Sequence, residues 1–178
     1  IAGVLSTGVN VYDLGMATSG IVRYITRLLK CDGGVQIRQS PDDETALVVE
    51  FFDKWGLNLH VNTRRKMENI FSREAFVRAD AEEVGETVYF SNVIAQYIEG
   101  MMQTTDFNVI HEARFRVALY YDVRNFTSFL PVLLSRIGCQ IITPEGLEEG
   151  RGVKTLDDFA AGIKALKSAV MQHQADMG

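Results

Sequence analysis

The sequence of 178 residues has only two cysteines, no apolar run of membrane-spanning length, and a deficit of positive charge. Cys31 and Cys139 are far apart and fit neither a C-x-x-C pair nor a zinc-ligand spacing. That excludes a disulfide-stapled or zinc-built fold and agrees with a reducing, cytoplasmic setting. No stretch approaches the roughly 20 apolar residues that cross a bilayer, so no membrane role is expected. Lysine and arginine number 18 against 23 aspartates and glutamates, a net charge of −5. A general nucleic-acid binder needs a basic face, so none is expected here either. Repeats and low-complexity tracts are absent as well.

What remains is ordinary globular material, 47% hydrophobic and 23% charged. A chain of this length buries roughly 70% of its extended surface, enough for a core without cross-links. It opens at Ile1, without methionine and inside a helix-like run, IAGVLSTG, that Gly8 closes. The expectation is a piece of a longer polypeptide.

Periodicity then alternates. Val9, Val11 and Leu14 give a short strand ending at Gly15, and Thr18 or Ser19 caps a helix with Ile21, Val22, Ile25, Leu28 and Leu29 at helical spacing. After CDGG comes the strand VQIRQS, and ALVVEFFD (46–53) is a third. The run 62–71 is predicted as an amphipathic helix with Met67, Ile70 and Phe71 inward and Arg64, Arg65 and Lys66 outward. SREAFVRADAEEVGET is predicted irregular, and 92–102 helical. A fresh strand–helix–strand unit follows, FRVALYYDV (115–123), FTSFLPVLLSRIG and CQII, then a helix over 155–174 with Thr155 as its N-cap. Alternation of this kind predicts an α/β fold with a mixed, mostly parallel sheet and helices on both faces. The restart predicts two domains, 1–104 and 105–178.

Several chemical candidates are bland. His60, His111 and His173 have no partner at ligand spacing. GRGVKT (150–155) echoes a phosphate loop, but its lysine does not directly follow the glycine, and a loop before a helix is expected. Arg64, Arg65 and Lys66 read as a solvated helix face. Asp42, Asp43 and Glu44 stand in a row that rarely converges on a cation, so an acidic turn is expected and no metal ligand is assigned. Ser40, delivered at the end of a strand, reads by itself as a turn serine.

The order GVNVYDLGMATSGIVRYITRLLKCDGGVQIRQS resembles the first domain of the α-D-phosphohexomutases, the phosphomannomutase and phosphoglucomutase family. Gly8–Gly15 matches the family's G-x-D-V-x-D-L-G strand, Thr18-Ser19 falls at its Thr-Pro, and Asp32-Gly33-Gly34-Val35 opens its D-G-G-I-M-I-T-A-S-H-N-P strand and loop. Ile37 and Ser40 fall on that motif's isoleucine and serine. VALYYDVRNFTSFLPVLLSRIGCQII is similar to the opening of the family's second domain. The resemblance covers most of residues 1–142.

It implies that Ser40 is the phosphoserine position; Arg38, which strand alternation puts on the same face, is the expected phosphate-binding residue. Active members also use Mg2+ while phosphoryl passes between serine and sugar phosphate. The pattern departs from the family around that serine. Arg38-Gln39 replace Thr-Ala, Pro41-Asp42-Asp43 replace His-Asn-Pro, and Asn125-Phe126 stand for Asn-Gly. Proline removes an N–H that would face phosphate, and two aspartates repel a phosphoserine. The family's Asp-Gly-Asp-x-Asp-Arg metal loop does not occur in the 178 residues.

The implied function is a phosphohexomutase-like module of a sugar-phosphate or nucleotide-sugar enzyme, catalytically degenerate and binding sugar phosphate. EFFDKWGLNLHVNTRRKMENIFSREAFVRA also resembles mutase-like regions fused behind a mannose-1-phosphate guanylyltransferase, so a sugar nucleotidyltransferase is the expected covalent partner. Two alternatives stay open. One is an active mutase transferring phosphoryl through Ser40, and the other is a pure assembly domain.

Overall fold

A computed structural model describes residues 1–40, 43, 45–120, 129–143 and 156–178. The expectations for Asp42, Glu44, Asn125-Phe126, the 150–155 loop and the Thr155 cap lie outside the described residues. The chain divides into two compact units, Ile1–Val93 and Ile94–Gly178. The sequence pattern puts its restart later, at 104/105.

In the first unit the helix α1 spans Ala2–Leu5, and Gly8 follows in the left-handed region at φ 81°. Strand β1 is Val11–Asp13, and helix α2 is Ser19–Leu28. Ile21, Val22 and Ile25 form the buried stripe of α2, as their spacing requires. Lys30, in the left-handed conformation, turns the chain out of α2, and the Cys31 N–H returns to the Thr26 carbonyl at 3.0 Å.

Strands β2 (Gly33–Gln39) and β3 (Leu47–Asp53) form an antiparallel hairpin with Gln36 opposite Glu50 and Val35 opposite Phe51. The connection between them is too short for the crossover that a parallel pair needs. Strand alternation sends Gly34, Gln36 and Phe52 to one face, where Phe52 is buried and Arg23 from α2 stacks over its ring at 4.1 Å. On the opposite face Val35, Ile37, Leu47, Val49 and Phe51 all stand exposed, Ile37 at 63% and Leu47 at 70%.

Helix α3 (Val61–Ser72) buries no residue. Ile70 and Phe71 were expected inward, yet both are exposed, Phe71 at 75%. The amphipathic stripe is there, but it faces the apolar side of β3 across an open concavity rather than packing against it. The stretch after α3 is irregular as expected, up to a strand that the sequence reading left unassigned. This is β4 (Thr87–Tyr89), which pairs in parallel with β1, Val11 opposite Thr87. The Asn10 side chain clamps the junction, its Oδ1 accepting the Glu86 N–H at 2.9 Å. Gly85 passes so close to the Val9 carbonyl that any Cβ there would collide.

The second unit contains α4, which begins at the unit boundary (Val93–Thr104), α5 (Asn108–Ala113), β5 (Arg116–Ala118), α6 (Phe129–Arg136), β6 (Gln140–Ile142) and α7 (Leu156–Gln172). Strands β5 and β6 are parallel. Ile98, Val117, Leu133, Ile137 and Cys139 form the buried core. Gly138, at φ 86°, ends the α6 region where the sequence puts its stop. The C-terminal tail returns to β5, with the Asp176 carboxylate accepting the Arg116 N–H at 2.7 Å.

The α/β class therefore holds. Among the described residues, two strand pairs are parallel and one antiparallel, each a separate two-stranded sheet. No helix among the described residues is long and apolar enough to cross a membrane.

Candidate functional site

The β2–β3 ladder continues one residue past its named strands, because the Ser40 N–H donates to the Ala46 carbonyl at 2.9 Å. Alternation is thereby kept, and Ser40 falls on the same face as Gln36 and Arg38. That face looks toward the start of α2. The turn beyond it is built by Asp43, whose Oδ1 accepts both the Thr45 N–H (2.8 Å) and the Thr45 hydroxyl (2.7 Å). These two bonds hold the Asp43 carboxyl below its usual range, the hydroxyl contributing most. Asp43 is thus a turn-forming residue, as expected of the acidic stretch.

Behind Ser40 a polar layer joins three segments. Arg38 Nε donates to Glu50 Oε2 at 3.1 Å, and Ser19 Oγ lies 3.2 Å from the same oxygen. The Ser19 hydroxyl also makes a short contact with Gln36 Oε1. Gln36 in turn donates its Nε2–H to the Ala17 carbonyl at 2.8 Å. The hydrogen bond from Arg38 is the main cause that lowers the Glu50 pKa, and the more distant Arg23 adds to it. Arg23 itself is engaged with the Gly56 carbonyl (3.0 Å) and Asn58 Oδ1 (2.5 Å).

This arrangement can present a serine and a guanidinium to an anion at one strand end. The guanidinium, however, already has a carboxylate partner. A concavity in the unit, about 700 Å3 between β3 and α3, is lined mainly by Val49, Phe51, Met67, Ile70, Phe71 and Phe76. Its arginine, Arg64, lies 3.5 Å from Glu68. Neither Ser40 nor Arg38 lines it.

Residues 1–78 match the family model for the phosphoglucomutase/phosphomannomutase alpha/beta/alpha domain I. The chain is 28% identical over 174 residues to a phosphoglucomutase/phosphomannomutase of Thermococcus kodakarensis, covering 96% of this chain and 38% of that protein. It is 29% identical over 147 residues to a phosphoglucosamine/phosphogalactosamine mutase of Sulfurisphaera tokodaii, covering 81% and 32%. A phosphoglucosamine mutase of Campylobacter jejuni is 25% identical over 181 residues, covering 96% and 40%. Residues 1–78 thus match the first domain of the phosphohexomutases, and the chain as a whole is similar to members of that family. It spans 40% or less of the length of these three relatives.

Within this phosphohexomutase-like first domain the sequence singled out Ser40 and Arg38, and the ladder puts them on one face. It did not single out Ser19, Gln36 or Glu50. Glu50 sits inside the apolar run ALVVEFFD, where a lone carboxylate reads as a solvent-facing strand position. The signal available was its place opposite Gln36, which only the hairpin register reveals.

For magnesium the donor set is poor. Among the described residues, no group of three histidine, cysteine, aspartate or glutamate side chains could hold a metal ion. Asp43, the described carboxylate of the acidic stretch, is committed to Thr45. These described residues do not by themselves make a magnesium site.

Proposed function

We propose that the chain is a phosphohexomutase-like module that holds a sugar phosphate at the Ser40 end of β2 and no longer transfers phosphoryl. The observation that carries this reading is the ion pair between Arg38 and Glu50, 3.1 Å apart. A phosphoserine carries nearly two negative charges and needs uncompensated cations around it. Here the nearby guanidinium is matched by a carboxylate, which leaves hydrogen-bonding capacity for a weakly held anion and little to stabilise a phosphoenzyme. The module serves a larger polypeptide, and a sugar nucleotidyltransferase is the partner that this reading assigns to it.

The test is to incubate the purified protein with magnesium and glucose 1,6-bisphosphate and map phosphorylation by mass spectrometry, with Ser40→Ala as control. The expected result is an unmodified Ser40, together with saturable glucose 1-phosphate binding that Arg38→Ala weakens. A phosphate on Ser40 that can be passed to glucose or mannose phosphate would overturn this reading in favour of an active mutase. In that reaction the Ser40 Oγ–P bond forms as a sugar O–P bond breaks, the serine proton going to the sugar oxygen. Folded protein with neither modification nor binding would leave an assembly role.

A further inference from the structure

We propose that Glu50 sets the anion affinity of the Ser40 end by holding the guanidinium of Arg38, acting as a positioning residue. The inference rests on the sugar-phosphate reading of that end and adds its regulator. Three observations lead to it.

The first is the sharing of one oxygen. Glu50 Oε2 is the acceptor at 3.1 Å from Arg38 Nε and at 3.2 Å from Ser19 Oγ. The second is a proton count. A serine hydroxyl has one proton to donate, yet Ser19 Oγ lies within reach of both Gln36 Oε1 and Glu50 Oε2. The Gln36 amide cannot resolve the conflict by flipping, because its Nε2–H is pinned on the Ala17 carbonyl at 2.8 Å. Whenever the Ser19 proton serves Gln36, Glu50 depends on Arg38 for compensation. The third is exposure. The Arg38 and Glu50 side chains are 41% and 30% exposed, so the pair is reachable from solvent. Arg23, the other cation that acts on Glu50, is tied to Gly56, Asn58 and the Phe52 ring.

An incoming phosphate therefore competes with Glu50 for Arg38 and is repelled by the Glu50 carboxylate. Exposed ion pairs of this kind are weak enough to be exchanged. Glu50 then tunes the site without touching the ligand.

The experiment measures inorganic phosphate and glucose 1-phosphate binding by calorimetry at pH 7 in low salt. It compares wild type, Glu50→Gln, Arg38→Ala and the double variant, each checked for folding by circular dichroism. Glu50→Gln keeps the shape and the acceptor oxygen but removes the charge. The expected result is roughly fivefold tighter binding in Glu50→Gln, shrinking as salt is raised. The gain should vanish in the Arg38→Ala background, which a merely structural role for Glu50 would not produce. Equal affinities of wild type and Glu50→Gln, with binding still lost in Arg38→Ala, would overturn the role of Glu50 and leave the anion site standing. No binding by any folded variant would overturn both.

Discussion

Thr26 sits where a side chain on residue 34 would have to go. Its hydroxyl donates to the Val22 carbonyl at 2.8 Å, and a Cβ built on Gly34 would run into that same oxygen. Helix α2 and strand β2 are thus pressed together at the base of the hairpin that carries Arg38 and Ser40. Gly34→Ala is expected to cost about 1–3 kcal/mol, as overpacking does in a tight contact. Urea unfolding of Gly34→Ala, Thr26→Ala and the double variant checks this. The double variant should lose less than the two single losses combined, because Thr26→Ala removes the obstructing oxygen. Additive losses would mean that the two residues do not press on each other.

Arg23 has three tasks, bonding the Gly56 carbonyl, bonding Asn58 and stacking on Phe52. An ammonium is a point charge and cannot fill the planar fork and the stack together. Arg23→Lys is therefore expected to lose about 1–2 kcal/mol, measured by the urea midpoint at constant slope. An unchanged midpoint would show the stack and the fork to be inconsequential.

The Glu50 carboxyl is lowered from its ordinary value of 4.5 in the folded protein, first by the Arg38 hydrogen bond. The sign follows from linkage. The stabilisation is fully present above the ordinary value and is lost as pH falls through the depressed one. Melting curves of wild type and Glu50→Gln should differ most near neutrality and converge in acid. The gap is expected to be small because the pair is exposed. A gap that widens in acid would contradict the assignment.

Burial raises the thiol pKa of Cys139, and burial followed by the charge of Asp32 raises that of Cys31. Thiolate is the reactive form, so both should alkylate more slowly with iodoacetamide at pH 7.5 than free cysteine does. Cys139, only 9% exposed, should be the slower of the two until urea unfolds its unit. Equal rates in native buffer would show that the second core opens readily.

Much of this structure was legible where the sequence is periodic. Ile21, Val22 and Ile25 announce α2 and are buried, and the β-branched runs announce β2 and β3. Strand β4 and helix α5 were not read from the sequence: both are short, and Thr87–Tyr89 follows directly on a polar, irregular stretch. Thr87–Tyr89 becomes a strand only because β1 is beside it. The inward face assigned to α3 failed for a related reason, since a stripe of apolar residues does not name the surface that it meets. At the candidate site, alternation put Arg38 with Ser40. The rest depends on register, which brings residues 19, 36 and 50 together although each looks unremarkable in its own segment.

The pairing of β1 with β4 has a consequence for the order in which the first unit assembles. The β2–β3 hairpin joins neighbours in sequence and can close within microseconds. The clamp at β1 brings together Asn10 and Glu86, 76 positions apart, and must wait for a long loop to close. On a ribosome, β1 emerges before β2 and β3, yet its partner among the described strands, β4, is made only after them. Pulsed hydrogen exchange during refolding should therefore find the amides of Val35–Arg38 protected before those of Val11 and Tyr12. Among the described strands of this unit, the one made first is the one stitched in last.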